Sequence, residues 1–347
     1  MKTVDLGDKP EACRLILERF RQALSQRSDS MAVVVGSMNA DYTVVTDRIP
    51  LPGETVVGGP MSILPGGKSS NQAVASAKMG VHTAIIGMLG DDENAEFLEG
   101  HLRQCGVDTQ SIGRAQTSSG STIITVDAHG ENTIVVSPGA NAYLDEQAVE
   151  ACSAQIERAR VMGLCLETPL PTVLKSAQIA RQTGVEVVIN LSPFNQQAAT
   201  VLTSYADVLI VNELECADLL RCEQENEQST QTITVDSDWH IIAEHLQRLG
   251  FSKVCITLGG DGCVVISQEE HNVEPIITHV AVPKAAVVDT TGCGDSFMGG
   301  VIAGRAVGMD LVSAACLGSI FGSYAAQGSG AQASYGTLEE VHSQYLS

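Results

Sequence analysis

Aromatic residues are scarce in this chain of 347 residues: they make up 4% of it, whereas glycine occurs 33 times. Glycine permits tight turns and close approach of backbones, so small residues must fill much of the interior. Basic residues are also few, since 20 lysines and arginines stand against 41 aspartates and glutamates, a net charge of −21. A surface this negative repels phosphate backbones and anionic lipids. We therefore expect no nucleic-acid partner and no membrane-surface binding.

Long hydrophobic runs and cysteine motifs are missing as well. The uncharged stretch from Leu311 to Gln327 is shorter than the roughly 20 apolar residues of a membrane span and predicts a buried helix. No two of the ten cysteines have C-x-x-C spacing, which favours free buried thiols in a reducing cytoplasm over disulfides or a zinc site. Asp5, Asp8 and Glu11 interrupt any signal peptide at the N-terminus. These features predict a cytoplasmic protein.

The order of segments predicts one main domain with an extension. Residues 1–30 contain a helical pattern from Glu11 to Gln26 and are interpreted as an N-terminal helical extension. The main domain is expected at 31–347. Loosely alternating strands separated by turns, at about 41–63 and 119–137, predict a small separate sheet that acts as a lid.

The rest of the main domain alternates between strands and helices. Over about 250 residues this alternation predicts an α/β fold, a doubly wound and mostly parallel sheet with helices on both faces. Ligands bind at the carboxyl ends of the strands in such folds. The motifs that carry chemistry all fall at those ends.

The strongest motif, Asp289–Asp295 (DTTGCGD), opens a predicted helix. Small residues at a helix mouth let backbone N–H groups approach an anion, and the helix dipole favours negative charge there. A carboxylate beside such a phosphate cradle, here Asp295, can accept the proton of an attacking hydroxyl. The other interpretation of Asp295 is a simple helix N-cap.

Two further motifs present polar groups. Gly66–Asn71 (GGKSSN) is not a P-loop, because Ser62 stands where the first glycine belongs, and Phe297 breaks a dinucleotide fingerprint after Gly292. What remains is a glycine-rich turn whose Lys68 and Asn71 suit a small polyol, although Asn71 could also be a helix cap. Asn39 and Asp41 lie two apart on an extended segment and can bracket adjacent hydroxyls.

Four segments together resemble the ribokinase branch of the PfkB carbohydrate kinases. They are Gly36–Asp41, Pro52–Thr55, Gly66–Lys68 with Asn71–Ala75, and Asp289–Asp295. Their order and separation fit that family, and the resemblance covers about residues 31–340. It implies a ribokinase-like fold and ATP-dependent phosphorylation of the primary hydroxyl of D-ribose, which gives ribose 5-phosphate and ADP.

The resemblance also implies roles for single residues. Asp295 is expected to be the general base, beside an anion hole formed by Gly292, Cys293 and Gly294. The expected sugar contacts are Asn39, Asp41, Gly67, Lys68, Asn71, Glu167 and Asp295. The expected ATP contacts are Asn212, Thr257, Gly259, Gly260, Gly262, Gly294 and Ser319.

Two metal ions and a dimer are expected as well. The resemblance implies that Glu215 organises Mg²⁺ through water. It implies a monovalent cation, K⁺, as activator, held by Asp289, Thr291, Ala325, Gly328, Gly330 and Ser334. Exposed strands of a lid are suited to pairing with a second copy, so we expect a homodimer through the lid.

The sequence departs from the family at several positions. Ser69 and Ser70 replace the usual Gly-Ala, which predicts extra hydroxyls near the sugar. Cys293 adds a thiol that invites oxidation at the anion hole, and Ala333 replaces a proline. Two alternatives stay open: a kinase of this family for another sugar or a nucleoside, and a catalytically silent sugar or nucleotide sensor.

The residues present favour a sugar kinase over a nucleoside kinase or a sensor. Asp41, Asp47 and Glu54 favour a small polar substrate over a nucleoside, which requires a roomier and more apolar lid. A sensor is expected to have lost Asp295 or the glycines before it, and both are present.

Overall fold

The structure is a computed structural model that describes residues 1–7, 9–221, 232–268 and 274–346. The strands within these residues form two sheets. In chain order they are β1 (Lys2–Asp5), β2 (Met31–Val35), β3 (Asn39–Val45), β4 (Ser62–Gly66), β5 (His82–Leu89), β6 (Asp108–Arg114), β7 (Gly120–Val126), β8 (Asn132–Ser137), β9 (Val161–Leu164), β10 (Glu186–Asn190), β11 (Val208–Asn212), β12 (Lys253–Thr257), β13 (Cys263–Ser267) and β14 (Ile276–Ala281).

The larger sheet has ten strands in the order β1-β14-β13-β12-β11-β10-β9-β2-β5-β6. β13 is antiparallel to both of its neighbours, and the other pairings in the described residues are parallel. This arrangement confirms the predicted doubly wound, mostly parallel sheet.

Helices cover both faces of this sheet. In chain order the α-helices are α1 (Pro10–Gln26), α2 (Lys68–Lys78), α3 (Glu93–Gln104), α4 (Glu146–Ala151), α5 (Ser153–Arg158), α6 (Leu170–Thr183), α7 (Gln196–Leu202), α8 (Glu213–Arg221), α9 (Trp239–Arg248), α10 (Cys293–Ala306), α11 (Leu311–Ala325), α12 (Ala331–Ser334) and α13 (Leu338–Ser343).

Strand β2 shows why helices must pack on both faces of the large sheet. All five of its residues are buried. Because successive strand residues point to opposite faces, Ala32 and Val34 join the cluster packed by α1, α2, α3, α10 and α11, whereas Val33 and Val35 join the cluster packed by α4 to α7. A strand buried on both faces reads as an uninterrupted apolar run, as is typical of parallel sheets.

The scarcity of aromatic side chains matches the packing of α10 against α11. A Cβ on Gly300 would lie only 2.6 Å from the Cα of Gly318, so the two helices approach closely enough that neither position has room for a side chain. This contact holds α10, whose first turn carries Asp295, firmly against the core.

The N-terminal segment contributes more than the predicted helix. β1, which the sequence did not reveal, pairs in parallel with β14 at the edge of the large sheet. Leu6, Cys13, Leu17 and Phe20 are buried in the main core. The segment before residue 31 therefore packs as part of the same layered structure.

The smaller sheet has the order β4-β3-β7-β8. Its pairings are antiparallel except for β3 with β7, which run in parallel. β7 and β8 lie within the expected region 119–137, whereas β3 begins two residues before the expected region 41–63 and β4 extends three residues beyond it. Several of its apolar side chains are exposed: Val45, Ile63, Ile123, Ile134, Val135 and Val136.

Two sequence-based expectations concern membranes and cysteines. Among the residues described, no helix is both long and apolar enough to cross a membrane. The nine cysteines in the described ranges are free thiols, as predicted, and Cys222 lies outside those ranges.

Candidate active site

The predicted base, Asp295, lies in the first turn of α10 at the carboxyl edge of the large sheet, and its side chain is buried. Asn71 Nδ2 donates to its Oδ2 at 2.8 Å, and Gln72 Nε2 donates to its Oδ1 at 3.2 Å. Burial raises the pKa of Asp295, while the charge of Lys68 and the hydrogen bond from Asn71 oppose the shift. A carboxyl whose pKa is moved towards neutrality is suited to accepting a proton.

The N-cap interpretations do not hold for Asp295 or Asn71. The N-cap of α10 is Gly292 and that of α2 is Gly67, and neither helix has a side-chain cap. Asn71 instead directs its amide towards Asp295. Neither side chain therefore caps its own helix, and the two are bonded to each other instead.

Glu167 and Lys68 form the next part of the site. Glu167 Oε2 accepts from Ser37 Oγ at 2.6 Å and from the backbone N–H of Lys68 at 2.9 Å. Burial alone would lower the pKa of the Lys68 ammonium, but the charges of Asp295, Glu167 and Glu215 outweigh it, so the net pKa is raised. Lys68 therefore stays positively charged among carboxylates.

Asn39 and Asp41 lie on β3, where residues two apart share a face. Asn141 Nδ2 donates to Asn39 Oδ1 at 2.8 Å, and Thr122 Oγ1 donates to Asp41 Oδ1. Burial raises the pKa of Asp41 to about 6, and the negative charges of Glu167 and Asp295 add to the shift. Asp41 thus belongs to the same electrostatic cluster as the base.

Two glycines, Gly66 and Gly67, let the glycine-rich turn pack against β3. Gly67 has φ +92°, and a Cβ there would lie 2.9 Å from the backbone nitrogen of Asn39. A Cβ on Gly66 would collide with the carboxylate of Asp41. The glycine-rich turn therefore packs directly against β3 and brings Lys68 beside Asn39 and Asp41.

The turn before α10 has the form of an anion site. Gly292 adopts a left-handed conformation with φ +76°, and its carbonyl accepts from Tyr335 Oη at 2.8 Å. An anion hole was expected from Gly292, Cys293 and Gly294, but the amide of Cys293 already donates to Thr290 O at 3.2 Å. The amides of Gly294 and Asp295 are therefore the better candidates to bind an anion at the helix N-terminus. A Cβ on Gly294 would meet nothing within 4 Å, which leaves open space in front of them.

The predicted nucleotide residues lie along neighbouring strand ends. Asn212 and Thr257 are register partners at the ends of β11 and β12. Asn212 Oδ1 accepts from the amide of Glu215 at 2.8 Å, and Glu215 Oε2 accepts from the amide of Asn212 at 2.9 Å. Because the charges of both Glu215 and Asp295 act on Lys68, this edge adjoins the cluster formed by Asp295, Lys68 and Glu167.

Further along that edge, Gly259–Asp261 form a short 3₁₀ turn. Cβ atoms on Gly259 and Gly260 would meet open space, whereas one on Gly262 would lie 2.0 Å from Val280 O. Gly262 is thus needed for close packing. Ser319 Oγ lies 3.8 Å from Cys263 Sγ inside the protein, beneath this turn.

The candidate cation residues lie on two adjoining segments. Asp289 Oδ1 accepts from the amide of Thr291 at 2.9 Å, as a turn cap does, and its Oδ2 accepts from the amide of Gly330 at 2.8 Å. Burial raises the pKa of Asp289, but the two hydrogen bonds lower it by more, so the net pKa is lowered and the carboxylate is ionised. The carbonyl of Ala325 accepts from Gly328, Ser334 Oγ donates to Ala331 O, and a Cβ on Gly328 would lie 2.8 Å from that of Ser334.

Comparison with known proteins bears on the chemistry of this cluster. The model of the pfkB family carbohydrate kinases matches residues 29–338. The chain belongs to the pfkB family of carbohydrate kinases. A ribokinase of Haemophilus influenzae is 34% identical to this chain over 89% of this chain and 96% of its own length. A deoxyribokinase of Salmonella typhi is 28% identical over 90% of this chain and 98% of its own length. The structure of an Arabidopsis thaliana ribokinase with ribose and ATP has a TM-score of 0.79, with 26% identity, 92% coverage of this chain and 99% of that one.

Two family departures have a different outcome from the one expected. The hydroxyl of Ser69 contacts Val35 O and Cys165 Sγ, and that of Ser70 donates to the carbonyls of Gly66 and Gly67. Both hydroxyls point into the protein, so the expectation that they add polar groups near the sugar was wrong. Burial raises the pKa of Cys293 to about 11, which keeps it a thiol and lowers the reactivity that was expected of it.

Several residues of this kinase site escaped the sequence analysis. Ser37 bonds Glu167, Asn141 bonds Asn39, Gln72 bonds Asp295 and Tyr335 bonds the Gly292 carbonyl. Ser37 and Gln72 lie inside segments that carry the family resemblance, Gly36–Asp41 and Asn71–Ala75, but no role was assigned to either side chain. Asn141 and Tyr335 are brought to the site by the fold from segments with no distinctive pattern.

Proposed function

We propose that this pfkB-family kinase transfers the γ-phosphoryl group of ATP to the primary hydroxyl of D-ribose. The observation that carries the proposal is the carboxylate of Asp295, buried at the mouth of α10 and held by two amide donors. Around it lie Lys68, Glu167, Asn39 and Asp41, a polar set sized for several hydroxyls. The relatives named ribokinases support the choice of sugar.

The transfer uses these residues in a defined sequence. Asn39, Asp41, Asn71 and Glu167 bind sugar hydroxyls and place the primary one at Asp295. Asp295 takes its proton as the new O–P bond forms and the bond from the γ-phosphorus to the β,γ-bridging oxygen breaks, which releases ADP. The amides of Gly294 and Asp295 stabilise the charge on the phosphoryl oxygens.

The nucleotide and its ions fit the same edge of the sheet. We assign Asn212, Thr257, Gly259, Gly260, Gly262 and Ser319 to ATP. No group of three or more His, Cys, Asp and Glu that could hold a metal is found among the described residues. Mg²⁺ bound to ATP would keep waters and phosphates as ligands, and Glu215 would bind one of those waters. Bound Mg²⁺ neutralises phosphate charge.

A monovalent cation fits the two segments around Asp289. An ionised carboxylate and backbone carbonyls are the oxygen ligands that hard cations prefer. Asp289, Thr291, Ala325, Gly328, Gly330 and Ser334 are the residues that would hold K⁺. A cation held there would order the Asp289–Gly292 turn, which leads directly into the first turn of α10 and its Gly294 and Asp295 amides.

The small sheet is assigned two roles. It closes over the sugar and excludes water, because β3 carries both Asn39 and Asp41. Its exposed apolar side chains, named above, form a face that a second copy of the chain can cover, so we assign it the interface of a homodimer. Free buried thiols favour a cytoplasmic enzyme.

A substrate panel tests the proposal. We expect ATP-dependent ADP release with D-ribose and a much lower kcat/KM with hexoses and nucleosides. 2-Deoxyribose is the second candidate, favoured by the deoxyribokinase relative, and a higher kcat/KM with it would replace ribose. Equal turnover of adenosine or uridine would favour a nucleoside kinase, and absence of any sugar-dependent ADP release would favour a sensor.

A further inference from the structure

Gln332 lies in α12, close to the candidate cation residues Gly330 and Ser334, and its side chain is buried. Its Nε2 donates to Asn71 Oδ1 at 2.8 Å and to Ser70 Oγ at 3.0 Å. Both acceptors belong to the first turn of α2. A side chain from the C-terminal part of the chain thus forms two hydrogen bonds with the glycine-rich motif.

These contacts decide which way the amide of Asn71 faces. An amide oxygen accepts and an amide nitrogen donates, and Gln332 offers a donor to Asn71 Oδ1. The nitrogen of Asn71 must then point the other way, where it donates to Asp295 Oδ2 at 2.8 Å. The Asp295 carboxylate accepts only and therefore selects the same orientation, so Gln332 and Asp295 hold the Asn71 amide from its two ends.

The same short segment touches the other parts of the transfer site. The amide of Gly330 donates to Asp289 Oδ2, and Tyr335 Oη donates to Gly292 O. Lys78 Nζ donates to Tyr335 O at 2.6 Å and fixes the segment to α2. Gly330–Tyr335 therefore contacts Asp289 of the candidate cation turn and Gly292 at the start of α10, and it is linked to the base through Gln332 and Asn71.

We propose that Gln332 is a positioning residue that orients Asn71, and through it Asp295, and so links the candidate cation segment to the base. The proposal rests on the assignment of Asp295 as the base of the sugar kinase. Gln332 contacts neither that carboxylate nor the expected sugar position, so it acts only through Asn71.

The acidity of Asp295 supplies a readout that a purely structural role does not move. The groups that act on this carboxyl are Lys68 and Asn71 of α2, Gln72 of α2, Glu167 after β9, Asp41 of β3, Cys293 of α10 and Tyr335 after α12. Among them, Asn71 lowers the pKa by donating a hydrogen bond. Releasing Asn71 must raise the pKa and move the acid limb of kcat to higher pH.

Two variants of Gln332 and one control variant test its role in positioning Asn71 and Asp295. Gln332→Met keeps length and apolar bulk but donates nothing, and we expect kcat to fall about tenfold because a hydrogen bond to a charged group weakens. Gln332→Glu presents only acceptors when ionised and turns the Asn71 oxygen towards Asp295, so it should be worse than Met. Gln344→Met, at an exposed position where the side chain donates to Gln327, should keep wild-type kcat and pH profile.

A direct titration keeps the proposal separate from the proposed function. In protein carrying ¹³C-labelled aspartate carboxyls, the Asp295 resonance is identified by its loss in Asp295→Asn, and its pKa should be higher in Gln332→Met than in wild type. An unchanged pKa with unchanged kcat overturns the positioning role. Wild type inactive on every sugar overturns the proposed function instead, and the titration still decides the role of Gln332.

Discussion

Ribose binding should weaken as the pH falls through the pKa of Asp41. The carboxyl is buried beside Glu167 and Asp295, and its pKa is about 6 instead of 3.8. The ionised form offers both oxygens as acceptors, whereas protonation turns one of them into a donor, so we expect the protonated form to bind ribose much more weakly. With a pKa of about 6, roughly nine-tenths of the groups are ionised at pH 7 and roughly one-tenth at pH 5, so the ribose affinity should fall about tenfold between them.

Calorimetric titration with ribose, in the absence of ATP, measures this affinity without interference from the pH dependence of catalysis. Thr122→Val is a sharp companion, because Thr122 donates to Asp41 Oδ1 and that bond lowers the pKa; its loss should move the transition to higher pH. Asp41→Asn should bind ribose more weakly at pH 7 and lose the transition near pH 6. An affinity that is flat between pH 5 and 8 in wild type would refute the reasoning.

The same pKa makes a stability prediction. A carboxyl with a raised folded-state pKa binds protons more tightly when folded, so stability falls as pH rises from about 4 to about 6. Each pKa unit corresponds to about 1.36 kcal/mol. The rise of the Asp41 pKa from 3.8 to about 6 therefore lowers the free energy of unfolding by about 3 kcal/mol above pH 7. Asp41→Asn should raise Tm by about 2–4 °C at pH 8 and by nothing at pH 4. Equal effects at both pH values would contradict the assigned cause.

Two further predictions concern the turn before α10. Asp289→Ala should abolish activation by K⁺ at fixed ionic strength, with Na⁺ a weaker activator of wild type; identical wild-type rates in K⁺, Na⁺ and a bulky organic cation at saturating Mg²⁺ would remove the cation site. Tyr335→Phe frees the Gly292 carbonyl and should lower kcat about 3–10-fold with little change in ribose KM, since one neutral hydrogen bond contributes about 0.5–1.5 kcal/mol. Tyr324→Phe in α11 serves as its control, and equal losses in both variants would argue against a specific role for Tyr335.

Local patterns predicted much of the fold. The uninterrupted apolar run of β2 and the helix opened by the glycines before Asp295 are both encoded within a few residues. β1 was missed because Lys2–Asp5 is short and lacks a period-two pattern, and its partner β14 lies more than two hundred residues away. Such pairing depends on the tertiary fold, which local sequence does not report.

The site was predictable where one motif holds the chemistry. Asn71 and Asp295 were singled out by their motifs, and the fold brings them within hydrogen-bond distance. Gln332 and Tyr335 were not, because their importance lies in what they touch across the fold. Ser69 shows the opposite error: its place in a motif suggested a hydroxyl near the sugar, but that hydroxyl lies against Val35 O and Cys165 Sγ inside the protein.

The central claim is that Asp295 deprotonates the primary hydroxyl of ribose during transfer from ATP. The most direct test compares wild type with Asp295→Asn, using ³¹P NMR to identify the product and ADP release to follow the rate. Wild type should form ADP and ribose 5-phosphate in equal amounts. Asp295→Asn should bind ribose almost normally with kcat lower by about 10²–10⁴, the range for loss of a general base. Near-normal turnover in Asp295→Asn, or phosphate on a secondary hydroxyl, would contradict the account.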